Sequence, residues 1–448
     1  MSSDPAQAAA LAERRARVAA KPSSAVAEHN LAALLGDMGH AVEAEAAARR
    51  AMAKGGDAPE TWLVLARALL GQDRHAEAEA ALRQTLRRRP LYLDALRELA
   101  QLIWMRTADR DAALAPLEAA IAQAPADPGL HVVRARMMEY AGDPPEAIWR
   151  AVTLPGPAPD AGLELVAAHA AMGFDKDRAL THARNAVALA SGGTAATLKL
   201  AEVHLARDEP AAALALLEPI LRASPNDQAA LSLQATGWRL AGDPRAIRDY
   251  EAVVGGYRIE TPAGWASLDL YLADLTLSLR RLHGLETHPV GQSLRHGTQT
   301  TASLLTSDDP VIRAFFTAID GPIRAHIARL GHGEDALRRR NTGDYRLAGC
   351  WSVQLRPGGF HAPHMHSQGW LSSACYIELP AAIEADGRQG WIGFGSPPFD
   401  CGRDLPPEHY EKPAPGRLVL FPSWMWHGTI PFSGTAPRLT IAFDVVPA

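Results

Sequence analysis

A period of about 35 residues runs through the first half of the chain. Pro90 and Pro125 are 35 residues apart, as are Gly36 and Gly71, which stand in the similar segments LLGDMGH and LLGQDRH. Between such breaks, Ala and Leu recur at three- and four-residue spacing, which is typical of amphipathic helices. Each unit of a regular helical array buries its apolar face only against its neighbours. The period therefore predicts a curved, all-α solenoid.

The repeat is predicted to extend from Ser24 to about Ala252 in six or seven units, of which the one between Pro145 and Pro159 is irregular. The segments AGDPPEAIWRAV, from Ala141, and AGDPRAIRDYEAV, from Ala241, are 100 residues apart, about three periods. Solenoids of this kind commonly offer a concave groove to a peptide or a partner protein. We therefore predict that the repeats recruit a substrate or partner; the alternative is that they only support or dimerise the rest of the chain.

The amino-acid pattern changes after Gly255 and Gly256. Two helical stretches remain, LDLYLADLTLSLRRLHGL and the segment that starts at Asp309, and short strand-like runs follow from Tyr345 onward. Helices followed by many short strands bounded by Gly or Pro predict an α+β domain with a jelly-roll core. We therefore predict a multidomain chain, with an all-α solenoid over residues 1–253 and the α+β domain over residues 254–448.

Three histidines, His361, His364 and His366, lie close together in GGFHAPHMH. Alternate side chains of a strand share a face, so His364 and His366 are expected to face one way and His361 the other, unless Pro363 breaks the strand. His427 follows a distant apolar strand. Two close ligands and one distant ligand can form a facial metal site with open positions. We predict that His364, His366 and His427 bind a metal, whereas His361 is better suited to support the site or to touch substrate.

Arg438 opens the last apolar strand, eleven residues after His427. An arginine in that position can hold a carboxylate through two charge-assisted hydrogen bonds. Thr440 lies two residues further along, on the same face of the strand, and Tyr376 lies on the strand that follows the histidine motif. We predict that Arg438, Thr440 and Tyr376 bind the carboxylate of a cosubstrate.

From about Gln292 to its end, the chain resembles the 2-oxoglutarate–Fe(II) oxygenases that occur fused to bacterial tetratricopeptide repeats. The pieces that carry the resemblance are SLRHGTQT, WSVQLRPGGFHAPHMHSQGWLSSACYIELP, GRLVLFPSWMWHGTIPF and RLTIAFDVVP, and the repeats NLAALLGDMGHAVEAEAAARRAM and WLVLARALLGQDRHAEAEAALRQTL resemble tetratricopeptide units. The resemblance implies a prolyl-hydroxylase-like, double-stranded β-helix. It implies Fe(II) on His364, His366 and His427, 2-oxoglutarate on Arg438, and O2 as oxidant. With the repeats, it favours hydroxylation of a protein or peptide.

Position 366 departs from the wider superfamily, in which a carboxylate usually stands two residues after the first histidine. Three histidines leave the metal more positive than two histidines and a carboxylate, so a metal other than iron stays open. The bulk of His366 disfavours halogenation, which needs a small residue there. A second interpretation makes the chain a scaffold, whose repeats bind partners and whose jelly roll is a metal-stabilised, non-catalytic or sensory module.

Other residues have two interpretations each. The segment SLRHGTQT offers polar side chains that can contact substrate, and five tryptophans can line a cavity or pack in the core. These residues are Arg295, His296, Gln299, Trp351, Trp370, Trp391, Trp424 and Trp426.

Charge and composition limit the partners. The net charge of -5 argues against a nucleic-acid binder, and the triplets Arg87–Arg89 and Arg338–Arg340 are interpreted as solvated helix ends.

Three sparse cysteines are typical of reduced thiols. The start of the chain lacks the apolar stretch of a signal peptide, and no run approaches the roughly 18 apolar residues of a membrane span. We therefore expect a cytoplasmic protein; the sequence does not indicate its oligomeric state.

Overall fold

The structure is a computed structural model that describes residues 5–153, 157–247, 249–384 and 387–448. Its first half is helical. The helices are Pro5–Ala20 (α1), Ala25–Asp37 (α2), Ala41–Ala53 (α3), Pro59–Leu70 (α4), His75–Arg88 (α5), Leu93–Thr107 (α6), Arg110–Gln123 (α7), Pro128–Ala141 (α8), Pro145–Thr153 (α9), Ala161–Ala171 (α10), Lys176–Leu189 (α11), Thr194–Ala206 (α12), Pro210–Ala223 (α13) and Gln228–Ala241 (α14).

Helix pairs repeat at the predicted period. The first helices of successive pairs begin at residues 25, 59, 93, 128, 161 and 194, and α14 begins at 228, so the intervals are 33–35 residues. Six pairs, α2/α3 to α12/α13, stack in order along the described part of this region. The predicted solenoid is confirmed. Residues 154–156, within the predicted irregular unit, lie outside the described residues.

A seventh pair, the upper end of the predicted six or seven units, is incomplete. The segment from Ala141 forms α9, but its counterpart from Ala241 has no helix in residues 242–247 and 249–254. This segment packs against the C-terminal half instead, where Tyr250 is buried and its hydroxyl donates to Glu408 at 2.7 Å. The repeat prediction was wrong here because tertiary packing outweighs helix propensity in a segment that leads out of the array.

Small side chains bring the solenoid helices close together. Ala47 and Ala48 of α3 and Ala66 of α4 are fully buried, and larger residues such as Leu82 of α5 fill the remaining space. Several helices begin at an aspartate whose carboxylate accepts backbone N–H groups of the first turn, as at Asp109. The array is therefore held by close apolar packing and by capped helix starts.

We expect Leu82→Ala to lower the free energy of unfolding by about 2–5 kcal/mol, because it opens a cavity in this packing. Urea unfolding followed by circular dichroism measures the loss. Leu189→Ala is the matched control, since Leu189 is exposed at the end of α11, and it should change stability by less than about 0.5 kcal/mol. Equal losses in both variants would contradict the packing described here.

Two antiparallel sheets form the C-terminal half. The elements are Gly255–Arg258 (β1), Leu268–Arg280 (α15), Leu294–Gln299 (β2), Pro310–Leu330 (α16), Tyr345–His361 (β3), Leu371–Glu378 (β4), Ile392–Phe394 (β5), His409–Glu411 (β6), Arg417–Pro422 (β7), His427–Thr429 (β8) and Arg438–Pro447 (β9). The larger sheet has the order β1-β7-β4-β9-β3-β2 and the smaller one the order β6-β5-β8. Two facing sheets with helices beside them agree with the predicted α+β, jelly-roll architecture.

The two faces of β9 have different roles. Leu439, Ile441 and Phe443 are buried in the apolar layer between the larger sheet and helices α15 and α16. The alternate residues, Arg438 and Thr440 among them, point into a cavity between the sheets. The strict alternation of a β-strand therefore separates the structural residues of β9 from those available to a site.

The solenoid runs along the C-terminal half from α4 to α14. The bonds that join them include Thr301 Oγ1 to Asp73 (2.7 Å), Trp104 Nε1 to the His288 carbonyl (3.0 Å), Lys176 to Asp400 (2.8 Å), Arg403 to Asp208 (2.7 Å) and Trp426 Nε1 to Thr236 (2.9 Å). Residues of the solenoid from α4 to α14 thus contact the chain's own second half. The proposed boundary between residues 253 and 254 falls in the connection from α14 to β1.

The arginine triplets differ. Arg87–Arg89 lies at the end of α5, as expected. Arg338–Arg340 forms a 3-10 turn whose guanidinium groups donate to the carbonyls of Leu330, Pro225 and Gly369. The second triplet therefore braces the fold. Arg338 and Arg340 are half-buried and differ from the expected solvated helix end, whereas Arg339 is exposed.

All three cysteines are buried and free of disulfide bonds. Among the helices of the described residues, none combines the length and the apolar character that crossing a bilayer demands.

Candidate metal centre

The three predicted histidines meet at one point between the two sheets. Nε2 of His364 lies 3.3 Å from Nε2 of His366, and one nitrogen from each of these residues and from His427 lies within 4.8 Å of the others. Two imidazole nitrogens that share one metal ion at about 2.1 Å are roughly 3 Å apart when their bonds are perpendicular. The spacing of this cluster therefore suits a single metal ion.

The backbone holds the close pair of histidines differently from the predicted strand. β3 ends at His361, and Pro363 follows, so His364 and His366 stand in an extended loop. His364 and His427 exchange two backbone hydrogen bonds of 2.9 and 3.0 Å, and the His366 N–H donates to the Ser423 carbonyl at 2.9 Å. These bonds keep the alternation that points both imidazoles to one side, although the regular strand has ended.

In each of the three imidazoles, Nδ1 makes a hydrogen bond that orients the ring. Nδ1 of His364 donates to the Ala362 carbonyl and Nδ1 of His427 to the Met425 carbonyl, both at 2.9 Å. Because a carbonyl oxygen can only accept, Nδ1 must carry the proton in both residues. Nε2 is then left with a lone pair that points to the centre of the cluster. Such support of the outer nitrogen is usual for histidine ligands of metals.

Burial keeps His364 and His427 of this cluster uncharged. Burial, with the nearby His366, lowers the pKa of His364 to about 3. The pKa values of His427 and His361 are also lowered well below the ordinary histidine value, chiefly by burial. Neutral imidazoles with converging lone pairs repel one another without a cation between them and are ready to bind one, because metals bind the unprotonated form.

A carboxylate lies directly behind His366. Asp444 of β9 accepts from His366 Nδ1 at 2.7 Å, and the Ser372 hydroxyl donates to the same carboxylate oxygen, also at 2.7 Å. The wider superfamily usually has a carboxylate at position 366. Here the carboxylate lies behind His366, one hydrogen bond further from the cluster centre. Asp444 is not among the residues predicted from the sequence. Asp444 follows Arg438 and Thr440 on β9 by an even number of residues. The alternation of the strand could therefore have indicated that its side chain shares their face.

We expect Asp444→Asn to weaken Fe(II) binding by about 10- to 100-fold, because the amide keeps the shape of the carboxylate but loses the charge that makes His366 a better ligand. Anaerobic metal titration with a competing chelator measures the affinity. Asp344→Asn is the control, since Asp344 is an exposed partner of Arg324. An unchanged affinity in Asp444→Asn would show that this carboxylate does not tune the cluster.

Arg438 lies in the same cavity and is almost completely buried, at 2% exposure. Its Nη1 donates to the Gly390 carbonyl at 2.8 Å, whereas Nε has no hydrogen-bond partner. No ion pair to Arg438 is found within the described ranges, and burial lowers its pKa from the ordinary value. A buried cation without a counter-charge is costly, so this position is suited to bind an anion.

Two further predicted residues surround Arg438. The guanidinium carbon lies 5.0 Å from the centre of the Tyr376 ring, and the Tyr376 hydroxyl is buried without a hydrogen-bond partner. Burial raises the pKa of that hydroxyl to about 12, so it stays a donor. Thr440 lines the cavity, and its hydroxyl lies 3.4 Å from the Val353 carbonyl. Arg438, Tyr376 and Thr440 therefore lie close together, and their binding of a carboxylate stays a prediction.

Some of the remaining candidate residues line the cavity, and others lie outside it. His361 stacks beside His364 with 5.8 Å between ring centres and bonds through Nδ1 to Ser293, whose hydroxyl is also 3.1 Å from His364 Nε2. Arg295 and Gln299 line the cavity, while His296 is exposed at a bulge. Of the five tryptophans, Trp351 alone belongs to the described lining of this cavity. Trp370 and Trp426 pack through N–H bonds to Leu337 and Thr236.

The cavity has a volume of about 570 Å³ and connects the histidine cluster with Arg438. Its lining therefore offers three imidazole nitrogen ligands together with a buried cation that has no ion-pair partner among the described residues. A small dianion that chelates a metal with one end and meets an arginine with the other matches this arrangement. The residues present fit both an Fe(II) ion and 2-oxoglutarate.

Residues 349–444 match the sequence profile of the family described as "Putative 2OG-Fe(II) oxygenase". This match includes the three clustered histidines, Arg438 and Asp444, and the family implies Fe(II) and 2-oxoglutarate. No curated protein matches the chain significantly.

Several solved structures are similar to parts of the chain. A tetratricopeptide repeat protein from Parabacteroides merdae is 13% identical, with a TM-score of 0.37 over 52% of this chain and 92% of that chain. A Pseudomonas putida prolyl-4-hydroxylase is 19% identical, with a TM-score of 0.29 over 44% of this chain and 95% of that chain. The Cut9-Hcn1 hetero-tetramer of APC/C is 17% identical, with a TM-score of 0.35 over 50% of this chain. The chain spans only 45% of that relative.

Proposed function

Since residues 349–444 match a family of 2OG-Fe(II) oxygenases, we propose that this chain is an Fe(II)- and 2-oxoglutarate-dependent dioxygenase that hydroxylates a protein or peptide substrate recruited through its repeats. The observation that carries the proposal is the pairing of two features in one cavity. Three imidazole lone pairs converge at one end, and the unpaired Arg438 guanidinium stands at the other.

His364, His366 and His427 hold the metal through Nε2 in this proposal. When bound, Fe(II) and 2-oxoglutarate supply the oxidising chemistry, in which O2 is consumed, 2-oxoglutarate becomes succinate and CO2, and the substrate gains a hydroxyl group. The protein fixes the ligand geometry through the hydrogen bonds on each Nδ1. Asp444 offsets part of the metal's positive charge through His366.

Arg438 binds the distal carboxylate of 2-oxoglutarate, which gives the buried guanidinium its counter-charge. Gly390 orients this arginine through its carbonyl. Its backbone φ is +70°, and a Cβ at Gly390 would lie 2.7 Å from Ile383, so glycine suits both the conformation and the space. The Tyr376 and Thr440 hydroxyls stand nearby as further donors.

Formation of succinate tests the activity directly. The purified chain is incubated with Fe(II), 2-oxoglutarate and O2, alone and with cell-extract peptides. We expect succinate that rises with peptide and stops when Fe(II) or O2 is withheld. If no succinate forms above the metal-free background under any of these conditions, the dioxygenase proposal fails.

The scaffold interpretation has one supporting observation. The solenoid contacts the C-terminal half along much of its length, as expected if the metal domain only stabilises a partner-binding array. It predicts bound metal, commonly zinc in a closed structural site, without turnover. Metal analysis of freshly purified protein separates the two: stoichiometric zinc with no succinate formation favours the scaffold.

A further inference from the structure

The cavity around the metal centre is not built by the C-terminal half alone. Its lining includes Glu139 and Tyr140 of α8 and His169 of α10. Tyr140 is packed against Arg295 of β2, whose guanidinium carbon lies 5.1 Å from the centre of the tyrosine ring. The solenoid therefore supplies one wall of the same cavity that contains the histidine cluster.

A second hollow, of about 530 Å³, lies beside this wall, between α6, α8 and the Val290–Gly291 segment. Much of its surface is apolar, and it shares Tyr140 and Gly291 with the metal cavity. The apolar lining residues are Ala100, Val132, Val133, Met137 and Val290. The two hollows thus meet at Tyr140 and Gly291, and a chain lying in the outer hollow leads into the inner one.

The two carboxylates that line the metal cavity within the described residues already have partners. Glu139 accepts from Arg136 at 3.0 Å and lies 3.1 Å from His169 Nε2, and these neighbours hold its pKa down at about 2 although burial opposes them. Asp444 is bonded to His366. Neither carboxylate is therefore free to neutralise a further cation in the cavity.

Arg295 is a cation in the lining of the metal cavity. Its Nη1 donates to the backbone carbonyls of Gln292 and Leu294, at 2.8 and 2.9 Å, and its face covers Tyr140. Within the described ranges, no carboxylate pairs with it. Carbonyl groups and an aromatic face hold a guanidinium in place but leave its net charge intact. The junction of the two hollows therefore carries an uncompensated positive charge.

We propose that the substrate is an acidic polypeptide segment, which lies in the hollow between α6 and α8 and places a carboxylate side chain against Arg295. This inference rests on the proposed function and specifies its substrate class. The apolar floor binds the flanking residues, Arg295 selects the acidic one, and Tyr140 and Gly291 form the passage to the histidine cluster. The solenoid then recruits substrate at the wall of the cavity itself.

Peptide pools test this substrate class. Seven-residue pools with random flanks carry a central Asp, Glu, Asn, Lys or Leu, and their binding to the full chain, loaded with Fe(II) and 2-oxoglutarate without oxygen, is followed by fluorescence anisotropy. We expect the Asp or Glu pool to bind at least about tenfold more tightly than the Lys and Leu pools. Equal binding of all pools, tighter binding of the Lys or Leu pool, or no binding of any pool would overturn the proposal.

Three variants assign the preference to its residues. Arg295→Gln should remove the roughly tenfold preference for acidic pools, and Val133→Trp should weaken every pool by filling the outer hollow. Arg356→Gln is the matched control, because Arg356 is a half-exposed arginine of β3 that lines neither hollow, and it should change nothing. An acidic preference that survives Arg295→Gln contradicts the assignment.

Binding of 2-oxoglutarate is measured in the same samples and separates two failures. If wild type and Arg295→Gln both bind 2-oxoglutarate but no acidic preference exists, only the substrate class is wrong. If wild type binds no 2-oxoglutarate, the proposed function itself fails.

Discussion

The variant His427→Ala is expected to lose Fe(II) binding, with an affinity at least on the order of a hundredfold below that of wild type. Removal of one of three ligands should cost more than removal of an outer-shell partner, which typically costs 10- to 100-fold. His427 is also firmly held. It is 5% exposed, its backbone exchanges two hydrogen bonds with that of His364, and its ring centre lies 4.5 Å from the Phe421 ring centre. Anaerobic Fe(II) titration with a competing chelator measures the loss.

His40→Ala is the matched control for this experiment. His40 stands on the turn between α2 and α3, with a side chain that is 47% exposed, and its loss should leave Fe(II) affinity unchanged. Circular dichroism shows whether His427→Ala keeps its fold. A folded His427→Ala protein that binds Fe(II) as tightly as wild type would remove this histidine from the metal centre.

The second large effect concerns Arg438→Met, which should weaken 2-oxoglutarate binding by about a hundredfold or more while Fe(II) still binds. The variant loses two charge-assisted hydrogen bonds to the distal carboxylate, each worth about 1.5–3 kcal/mol. Methionine keeps much of the buried volume beside Tyr376. Isothermal titration of the anaerobic Fe(II)-loaded protein with 2-oxoglutarate measures the change.

Stability separates a binding role from a structural one. Because Arg438 is buried without a counter-charge, its replacement by an apolar side chain should leave the ligand-free protein equally stable or more stable. Wild type should gain thermal stability when 2-oxoglutarate is added, and Arg438→Met should not. Arg346→Met, at an exposed position of β3, is the control. A ligand-free Arg438→Met protein that is strongly destabilised would point to a structural arginine instead.

Much of the fold was predictable because its signals are local. The 35-residue period and the Ala positions indicate helix pairs, and short apolar runs between Gly and Pro indicate strands. The segment after Ala241 was not predictable, since its sequence resembles α9 while its buried Tyr250 packs against a half that lies far along the chain. The sequence pattern alone cannot show whether such a segment forms a solenoid helix or packs against the C-terminal half.

In the candidate site, too, the residues with local sequence signals were predictable and the others were not. The spacing of His364 and His366 and the position of Arg438 placed these residues together, because alternation survives in extended backbone even where β3 has ended. Asp444 was missed, although it shares the inward face of β9. Glu139 and Tyr140 carry no sequence signal, because they reach the cavity only through the docking of the solenoid.

The visible absorption of the anaerobic protein with Fe(II) and 2-oxoglutarate tests the proposed metal centre directly. A metal centre on His364, His366 and His427 beside Arg438 predicts a weak charge-transfer band of the Fe(II)–2-oxoglutarate chelate, at one iron per chain. The same band should be absent from His427→Ala and Arg438→Met. If fully iron-loaded wild-type protein shows no band at saturating 2-oxoglutarate, these residues do not form an Fe(II)–2-oxoglutarate site.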